Sequence, residues 1–410
     1  MKRVRRLLTV AVLTFVVAGC TDDSPGSGPT SGAREPTTIR VPADHDTIQA
    51  AVDAAEPGDM VLISEGVYAE QVTIETDGLT VRGVDRNGTV LDGGGTLENG
   101  VMVLADGVAV ENLTTRNYRS NGVLFTGDYG SGRTLRGYRV AYVTAADNGL
   151  YGIYAFNARG GLIEQSYASG HPDSGFYIGQ CNPCDALIRN VIAEFNAVGY
   201  QGTNAGGNLV ITSSVWARNR VGLQPNSSVK ERLAPQTDSV IVGNLILDNS
   251  EARSPRATDA FGVGIAVGGG SSNQMIANRI EGHVGAGVVV TDQDGFVAAD
   301  NRVEDNDLSG NALDLAVVGA GSPRGNCFTG NRFTTSTPAD IERRYACAPG
   351  SLGGTGTLAL VPGPPQVDPK AVPPPPAQPT MADPQRRPKA PASATAPTVD
   401  IASVSSPDRP

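Results

Sequence analysis

Aromatic and amide side chains recur at fixed distances after a series of glycines, and together they could bind sugars. Two residues after four successive glycines lie Tyr154, Tyr177, Gln201 and Gln224, and five residues after the same glycines lie Asn157, Gln180, Asn204 and Ser227. Flat rings stack on the apolar faces of sugars, and amides hydrogen-bond to sugar hydroxyl groups. If the repeats stack, the pattern predicts a strip that binds a polysaccharide. The alternative interpretation is a solvated sheet face that uses β-favouring aromatic residues.

Charged residues flank this pattern and could supply acid–base chemistry or bind an anionic chain. The step from Gly222 to Gly264 is 42 residues, which is 264 minus 222, and the extra segment carries Lys230, Arg232, Arg253 and Arg256. Long loops on a rigid scaffold often carry function. We expect these loops to wall a cleft beside the strip, with Arg253 and Arg256 in contact with the polymer. His171 and Asp173 precede the Tyr177 segment, where a structural role in a turn is the alternative interpretation for each.

The elements that would position these residues follow from the glycine repeat itself. A glycine followed by an apolar residue recurs at Gly100, Gly122, Gly152, Gly175, Gly199, Gly222, Gly264 and Gly287. Most steps are 22 to 24 residues, which leaves room for about three short strands per repeat, so the repeats must stack to bury apolar surface. Residues after each glycine alternate with a period of two, as in a strand. Ser166, Asn190, Ser213 and Asn278 each lie nine residues before their glycine and predict a hydrogen-bonded ladder.

These features, and an amino-terminal segment around Thr47–Ala55, resemble the pectin-lyase-like superfamily. The resemblance covers residues 38–350 and implies an all-β, single-stranded right-handed parallel β-helix solenoid. The segment that begins at Ile48 reads as an amphipathic capping helix, with Asp46 as its expected N-cap. A helix there would cover the open end of the stack. The superfamily holds lyases, hydrolases, epimerases, esterases and non-catalytic surface proteins, so the fold class does not fix the activity.

The resemblance also implies roles for the charged residues. Polysaccharide lyases and uronate epimerases of the superfamily neutralise a carboxylate, often with calcium, and remove the C5 proton with a basic residue. On that pattern Asp173, with Asp185, would hold calcium, Lys230 or Arg232 would be the base, and His171 would donate a proton. Two family motifs are altered in this sequence, as Arg253-Ser254-Pro255-Arg256 and as His171-Pro172-Asp173. Calcium is thus a possible cofactor, and catalysis is open.

The first residues predict export. Lys2, Arg3, Arg5 and Arg6 precede a short apolar run, and Val17-Ala18-Gly19-Cys20 resembles a bacterial lipobox. Residues 1–19 would be a lipoprotein signal peptide, Cys20 the lipid attachment site, and residues 20–37 a flexible tether. We expect the protein on the outer face of the cell membrane. The alternative is an ordinary signal peptide with an incidental cysteine.

The other four cysteines fit an exported protein with two structural disulfides. Cys181 and Cys184 lie in a predicted turn between coils, and Cys327 and Cys347 flank the last coil, where a bridge would pin a short closing helix that follows Asp340. A redox-active Cys-x-x-Cys is the other interpretation of the first pair. A zinc site would need all four cysteines together or histidine partners, and the chain has only three histidines.

Composition bounds the remaining possibilities. The net charge of −10, with no basic stripe beyond the signal peptide, argues against nucleic acid as a partner. Residues 351–410 are rich in Pro and Ala and predict a disordered tail. The leading interpretation is a monomeric, lipid-anchored surface protein that binds a polysaccharide, with cleavage or epimerisation of the polymer left open. The alternative is a non-catalytic envelope scaffold or adhesin.

Overall fold

Short parallel strands stack into three long sheets in a computed structural model that describes residues 34–255, 260–319, 324–359, 361–365, 367–368 and 371–408. Each repeat contributes one strand to sheet A, one to sheet B and one to sheet C, and every strand pairs with its counterpart in the next repeat. The predicted period therefore corresponds to one coil of a solenoid. Cys20 and the predicted signal peptide lie outside the described residues.

The strands of each sheet follow in the order of their pairing. Sheet A contains β1 (Thr38–Val41), β2 (Met60–Ile63), β5 (Thr80–Gly83), β8 (Val108–Glu111), β11 (Leu135–Ala141), β14 (Ala158–Glu164), β17 (Ala186–Arg189), β20 (Gly206–Thr212), β23 (Thr237–Val242), β26 (Gln274–Ile276), β29 (Arg302–Glu304) and β32 (Cys327–Thr329). Sheet B contains β3 (Gly66–Tyr68), β6 (Thr89–Asp92), β9 (Thr114–Arg116), β12 (Thr144–Ala146), β15 (Tyr167–Ser169), β18 (Ile192–Glu194), β21 (Val215–Ala217), β24 (Leu245–Leu247), β27 (Arg279–Glu281) and β30 (Asp307–Ser309). Sheet C contains β4 (Val72–Ile74), β7 (Asn99–Val103), β10 (Asn121–Thr126), β13 (Tyr151–Phe156), β16 (Ser174–Gly179), β19 (Val198–Thr203), β22 (Val221–Asn226), β25 (Val263–Gly268), β28 (Ala286–Thr291), β31 (Leu315–Val318) and β33 (Ser336–Thr337).

The core is built from the residue that follows each repeat glycine. These side chains form one continuous inward row, and each is almost fully buried: Val101, Val123, Ile153, Phe176, Tyr200, Leu223, Ile265 and Val288. Trp216 of sheet B packs edge-on against Phe176, with ring centroids 5.8 Å apart. Burying one such side chain contributes about 1.5–3 kcal/mol, and stacking repeats this contribution in every coil.

Hydrogen-bonded ladders of polar side chains line the turns, as predicted, with a change of members. In the turn between sheets A and B a ladder runs through Ser214, Asn244, Asn278, Asn306 and Asn331. Ser166 and Ser214 accept from the amides of Val143 and Val191 in the preceding coils. The predicted members Asn190 and Ser213 are exposed instead. Their φ angles of 52° and 49° show that they form the bend itself, which small polar residues tolerate.

Both ends of the solenoid carry a short helix. Helix α1 (Ile48–Ala54) buries Ile48, Ala51 and Val52 against the first coil, and its N-cap is Thr47, whose hydroxyl accepts from the Ala50 amide. The prediction of Asp46 as the N-cap was therefore wrong by one residue. Helix α2 (Ile341–Arg344) follows Asp340 at the other end. In the described part of the chain, no helix has the length and apolar character needed to cross a membrane.

Both predicted disulfides form. Cys181 and Cys184 are bridged in the loop between β16 and β17, and Cys327 and Cys347 are bridged across a separation of 20 residues. The second bridge ties the segment after α2 to β32, as expected. A disulfide-bonded turn between coils supports the structural interpretation of the Cys-x-x-Cys pair.

The described residues of the carboxy-terminal tail lie along the solenoid. Ile401–Ser403 form a 3-10 turn. The Arg82 guanidinium donates to the Pro384 and Arg386 carbonyls, and Arg86 donates to Pro379. Proline has no N–H, so an extended Pro-rich segment presents carbonyls that need donors, and the arginines beside sheet A supply them.

Candidate functional site

The predicted strip exists on the outer face of sheet C. Tyr154 of β13 pairs with Tyr177 of β16, Tyr177 pairs with Gln201 of β19, and Gln201 pairs with Gln224 of β22. Neighbouring strands lie about 4.8 Å apart, so the four side chains form an uninterrupted row across four coils. In the coils that follow, Ala266, Val289 and Ala316 continue the same row without polar or aromatic groups.

Three tyrosines lie at the aromatic end of the strip. We refer to Tyr151, Tyr154 and Tyr177 as the tyrosine cluster. The Tyr151 and Tyr154 rings stack with centroids 4.3 Å apart, and Tyr177 meets Tyr154 edge-on at 4.8 Å. Phe156 and Tyr129 extend the aromatic surface, with centroids 5.2 Å apart. Tyr151, Phe156 and Tyr129 were not predicted from the sequence, although Tyr151 directly precedes a repeat glycine.

Residues 227–236, which we name the covering loop, fold over the tyrosine cluster. The Tyr177 hydroxyl donates to Oε1 of Glu231 at 2.9 Å, and Tyr177 is only 2% exposed. A Cβ at Gly179 would lie 2.4 Å from the Tyr177 ring, so glycine at that position makes room for the ring. The inserted segment therefore walls the strip, as predicted, and it also covers the middle of it.

Two predicted amides hold the covering loop in place. Gln180 accepts from the Leu233 amide, and Asn204 both accepts from and donates to the Ser228 backbone, at 2.9 and 2.8 Å. Both side chains are buried, at 2% and 0% exposure. Their hydrogen-bonding capacity is directed to the loop, so the expectation that Gln180 and Asn204 contact the polymer is replaced by a supporting role.

The cations of the covering loop do not reach the predicted acid. Lys230 is exposed, and Arg232 lies over the Tyr129 ring at 4.2 Å and donates to the Tyr129 carbonyl. Among the described residues no ion pair joins either cation to Asp173. The predicted convergence of Asp173, Lys230 and Arg232 in one cleft is therefore not found, and Glu231 is the loop residue that reaches the tyrosines. Charge alone could not show which of three consecutive charged residues points inward.

Two carboxyl groups flank the tyrosine cluster. Burial raises the pKa of Asp173 to about 6, against the opposing influence of the Tyr151 and Ser174 hydroxyls. Burial also raises the pKa of Glu231 to about 6, while the hydrogen bond from Tyr177 acts to lower it. Burial and these neighbouring carboxylates raise the pKa of Tyr151 and Tyr154, so both hydroxyls stay protonated near neutral pH. The carboxyl groups, and not the tyrosines, can exchange protons in that range.

His171 lies inside the solenoid and cannot serve as the predicted acid. Its Nδ1 is 2.7 Å from Oδ1 of Asn196, and its Nε2 is 3.2 Å from Nδ2 of Asn148. The side chain is fully buried, and burial lowers its pKa to about 4. His171 is neutral, and both of its ring nitrogens are hydrogen-bonded within a second side-chain ladder, in the turn between sheets B and C. This ladder continues through Asn196, Asn219, Asn249, His283 and Asn311.

The predicted calcium ligands lie at opposite edges of sheet C. Asp173 precedes β16, whereas Asp185 follows the Cys181–Cys184 loop beyond the other end of that strand and accepts from Asn208. A strand of six residues spans roughly 20 Å, so the two carboxylates cannot share one ion. Within the described residues, three potential metal ligands meet only at Glu304, Cys327 and Cys347, where both cysteines are bridged.

The segment between β24 and β25, which contains Arg253, precedes sheet C at the edge opposite to the covering loop. Arg253 binds the Glu251 carboxylate through Nε and Nη2, at 3.0 and 2.9 Å, and lies over the Phe195 ring at 5.2 Å. The guanidinium is thus held at the turn between sheets B and C. Arg256, the other predicted polymer contact, lies outside the described residues.

Comparisons with known proteins agree with this architecture. A family model for the right-handed beta helix region matches residues 121–253. The A-modules of two mannuronan C-5 epimerases from Azotobacter vinelandii, AlgE6 and AlgE4, are similar in structure. They are each 18% identical to this chain, with TM-scores of 0.53 and 0.52. The alignments cover 72% and 71% of this chain and 95% and 91% of those chains. Among curated proteins, none matches this sequence. The chain has the right-handed parallel β-helix fold.

Proposed function

We propose that this protein binds a polysaccharide along the outer face of sheet C, with the tyrosine cluster as its centre. The observation that carries the proposal is the row from Tyr154 to Gln224, in which Tyr154, Gln201 and Gln224 stay partly exposed on either side of the covered Tyr177. Adjacent coils present rings and amides about one strand spacing apart. The rings can stack on the apolar faces of sugar units, and the amides can hydrogen-bond to their hydroxyl groups. Mannuronan, which the two similar structures are named for, is itself a polysaccharide, and this supports a polymer as the ligand class.

The same groove contains groups suited to modify the polymer. Asp173 and Glu231 have pKa values of about 6, within reach of proton transfer near neutral pH. A lyase or epimerase that uses Lys230 as its base receives no support from the geometry, because Lys230 is exposed and Glu231 occupies the cluster. Cleavage or epimerisation would therefore use the carboxyl groups of Asp173 and Glu231. Unsaturated uronate absorbance, followed together with binding, reports cleavage of the polymer.

We further propose that the protein is exported and anchored on the outer face of the cell membrane through a lipid on Cys20. The basic and apolar amino-terminal segment that ends at Cys20 supports this location. The wild-type protein should incorporate a radiolabelled fatty acid, and Cys20→Ser should not, because the thiol that accepts the lipid is lost. Metabolic labelling of both proteins checks this, and equal labelling of Cys20→Ser would contradict the proposal.

The binding proposal predicts that Tyr154→Ala weakens polymer binding by roughly tenfold, because a partly exposed ring is lost from the aromatic end of the row. The measurement is affinity electrophoresis in gels that contain single acidic, neutral or basic polysaccharides, with unsaturated uronate absorbance followed in parallel. Met102→Ala is the matched control, since Met102 occupies the same row two coils earlier, beyond the aromatic residues. Equal retardation of both variants on every polymer would contradict the proposal.

A further inference from the structure

The two carboxyl groups at the tyrosine cluster lack a compensating cation. Glu231 accepts from the Tyr177 hydroxyl through one oxygen, and its other oxygen, Oε2, is buried without a partner among the described residues. Oδ1 of Asp173 is likewise buried and unpartnered. The buried Glu111, by contrast, is paired with Arg82 and Arg139. Asp147, away from the cluster, also has a buried oxygen without a partner among the described residues, so it is the position of Asp173 and Glu231 beside aromatic rings that distinguishes them.

Neighbouring side chains add further acceptors that face the same strip. Asn121 pairs with Tyr151 in register, is 6% exposed, and has an Oδ1 without a partner in the described chain. Its Nδ2 donates to Asn99 at 2.7 Å, which fixes the amide orientation. Gln201 has the same arrangement, with Nε2 donating to Thr203 and a buried, unpartnered Oε1. A ligand that satisfies these atoms has to bring hydrogen-bond donors.

The charged groups around the strip do not offset the two acids. The tyrosine cluster itself adds no charge. Tyr151 and Tyr154 of β13 and Tyr177 of β16 all have a raised pKa, so their hydroxyl groups stay protonated near neutral pH. From the covering loop, Arg232 is directed to Tyr129 and Lys230 is exposed. The site is negative near neutral pH, on a chain whose net charge is −10. A uronate carboxylate would bring more negative charge and acceptor atoms to a site that already has both in excess.

We propose that the polymer bound here carries free amino groups, with hexosamine ammonium groups seated at Glu231 and at Asp173 beside the tyrosine rings. This inference rests on the proposed polysaccharide-binding function and names its substrate class. An ammonium donates three hydrogen bonds, so one such group can satisfy the unpartnered oxygen of Glu231 and another that of Asp173. Tyrosine faces attract a cation within about 6 Å of the ring centroid, so the stacked Tyr151 and Tyr154 rings add to the same preference.

The test is isothermal titration of the full-length exported protein with three oligosaccharide probes of equal length, at about pH 6.5, between the carboxyl pKa values and neutrality. The probes are glucosamine, N-acetylglucosamine and mannuronate oligomers, the last with and without calcium. The expected result is binding of the glucosamine oligomer at least about tenfold tighter than either of the others. Equal or tighter binding of the acetylated or uronate oligomer would overturn the amine inference and leave the polysaccharide-binding function intact. No binding to any probe would overturn both.

Variants separate the role of the acids from a general loss of the groove. Glu231→Gln and Asp173→Asn keep the shape of each side chain and should each weaken glucosamine binding about tenfold while leaving the acetylated probe unaffected. Lowering the pH below about 6 should weaken wild-type binding as the carboxyl groups take up protons. Asp185→Asn, at the far edge of sheet C, is the matched control. An equal loss in Asp185→Asn, or unchanged affinity in both cluster variants, would refute the inference. Thermal unfolding of each variant verifies its fold.

Discussion

At the residue scale, surroundings decide which ionisable groups can act. His171 is the residue whose ordinary pKa best suits acid–base chemistry, yet the ladder holds it neutral and buried with both ring nitrogens engaged. Glu231 is flanked in sequence by two cations, yet it alone reaches the tyrosine cluster. Acid–base capacity at this site therefore comes from a pair that spacing in the sequence does not reveal.

The raised pKa of Asp173 makes a stability prediction. The value rises from 3.8 to about 6, so the folded protein holds this proton more tightly than the unfolded chain. Stability is therefore lost as the pH rises from about 4 through about 6, and Asp173→Asn should be more stable than wild type above that window. Because the pKa shift is about two units, the free energy of unfolding of Asp173→Asn should exceed that of wild type by roughly 3 kcal/mol at most. This difference should vanish near pH 4.

Urea unfolding at several pH values measures this difference in the free energy of unfolding. Asp185→Asn serves as the control, because that carboxylate lies at the far edge of the sheet and asparagine keeps the oxygen that accepts from Asn208. A destabilised Asp173→Asn protein at every pH would show that the ionised carboxylate is stabilised by its surroundings.

At the element scale, the side-chain ladders fix the turns that hold each strand in register. Asn219 donates to the Ala193 carbonyl and to Asn249, and it accepts from the amide and the side chain of Asn196. Each of these groups is buried away from water. The turn between sheets B and C thus depends on one amide or imidazole side chain per coil, and Asp173 lies immediately beyond this ladder.

Asn219→Ala should lower the free energy of unfolding by about 2–4 kcal/mol, because it leaves several buried donors and acceptors of neighbouring coils unpaired. Chemical denaturation provides the measurement. Gln274→Ala, which shortens a partly exposed amide on the outer face of sheet A, should change stability by less than about 0.5 kcal/mol. Equal effects of the two substitutions would contradict the structural role of the ladder.

Much of the fold follows from the sequence because the repeat glycines carry positional information. Their spacing predicts the coils, the two-residue alternation predicts Phe176 inside, and the offset of two predicts the row from Tyr154 to Gln224. Loop conformation is different, because the covering loop has no period. Its path depends on contacts such as Gln180 with Leu233, which join residues 53 positions apart. The same reason explains why Lys230 was predicted at the site that Glu231 occupies.

At the scale of the whole molecule, the tail limits which face is free to bind. Gly356 donates to the Val317 carbonyl of β31, at the far end of sheet C from the tyrosine cluster. The described hydrogen bonds from Pro364 onward reach sheet A, the turns beside it, and Arg220 and Arg279, and none of these reaches a strand of sheet C. Asn112 accepts from both Thr380 and Met381, which holds this part of the tail against the turn between β8 and β9. The groove and the bound tail therefore lie on different faces of one solenoid.

Removing residues from 361 onward should lower the melting temperature by about 2–5 °C, because Arg82 and Arg86 lose carbonyl partners. Polymer binding should be unchanged, since the groove is on sheet C. Differential scanning calorimetry of the full-length and shortened proteins, with limited proteolysis of the full-length form, tests this. An unchanged melting temperature together with rapid cleavage of the tail would show that the segment is free in solution.

Hydroxyl-radical footprinting with and without bound polysaccharide tests the central claim most directly, because it reports the solvent exposure of individual side chains. The prediction is protection of Tyr151, Tyr154 and Phe156 on sheet C when the polymer is bound, with no change at Tyr68 on sheet B or at the tail residue Met381. Protection confined to sheets A or B, or a uniform footprint on every face, would contradict a binding site centred on the tyrosine cluster.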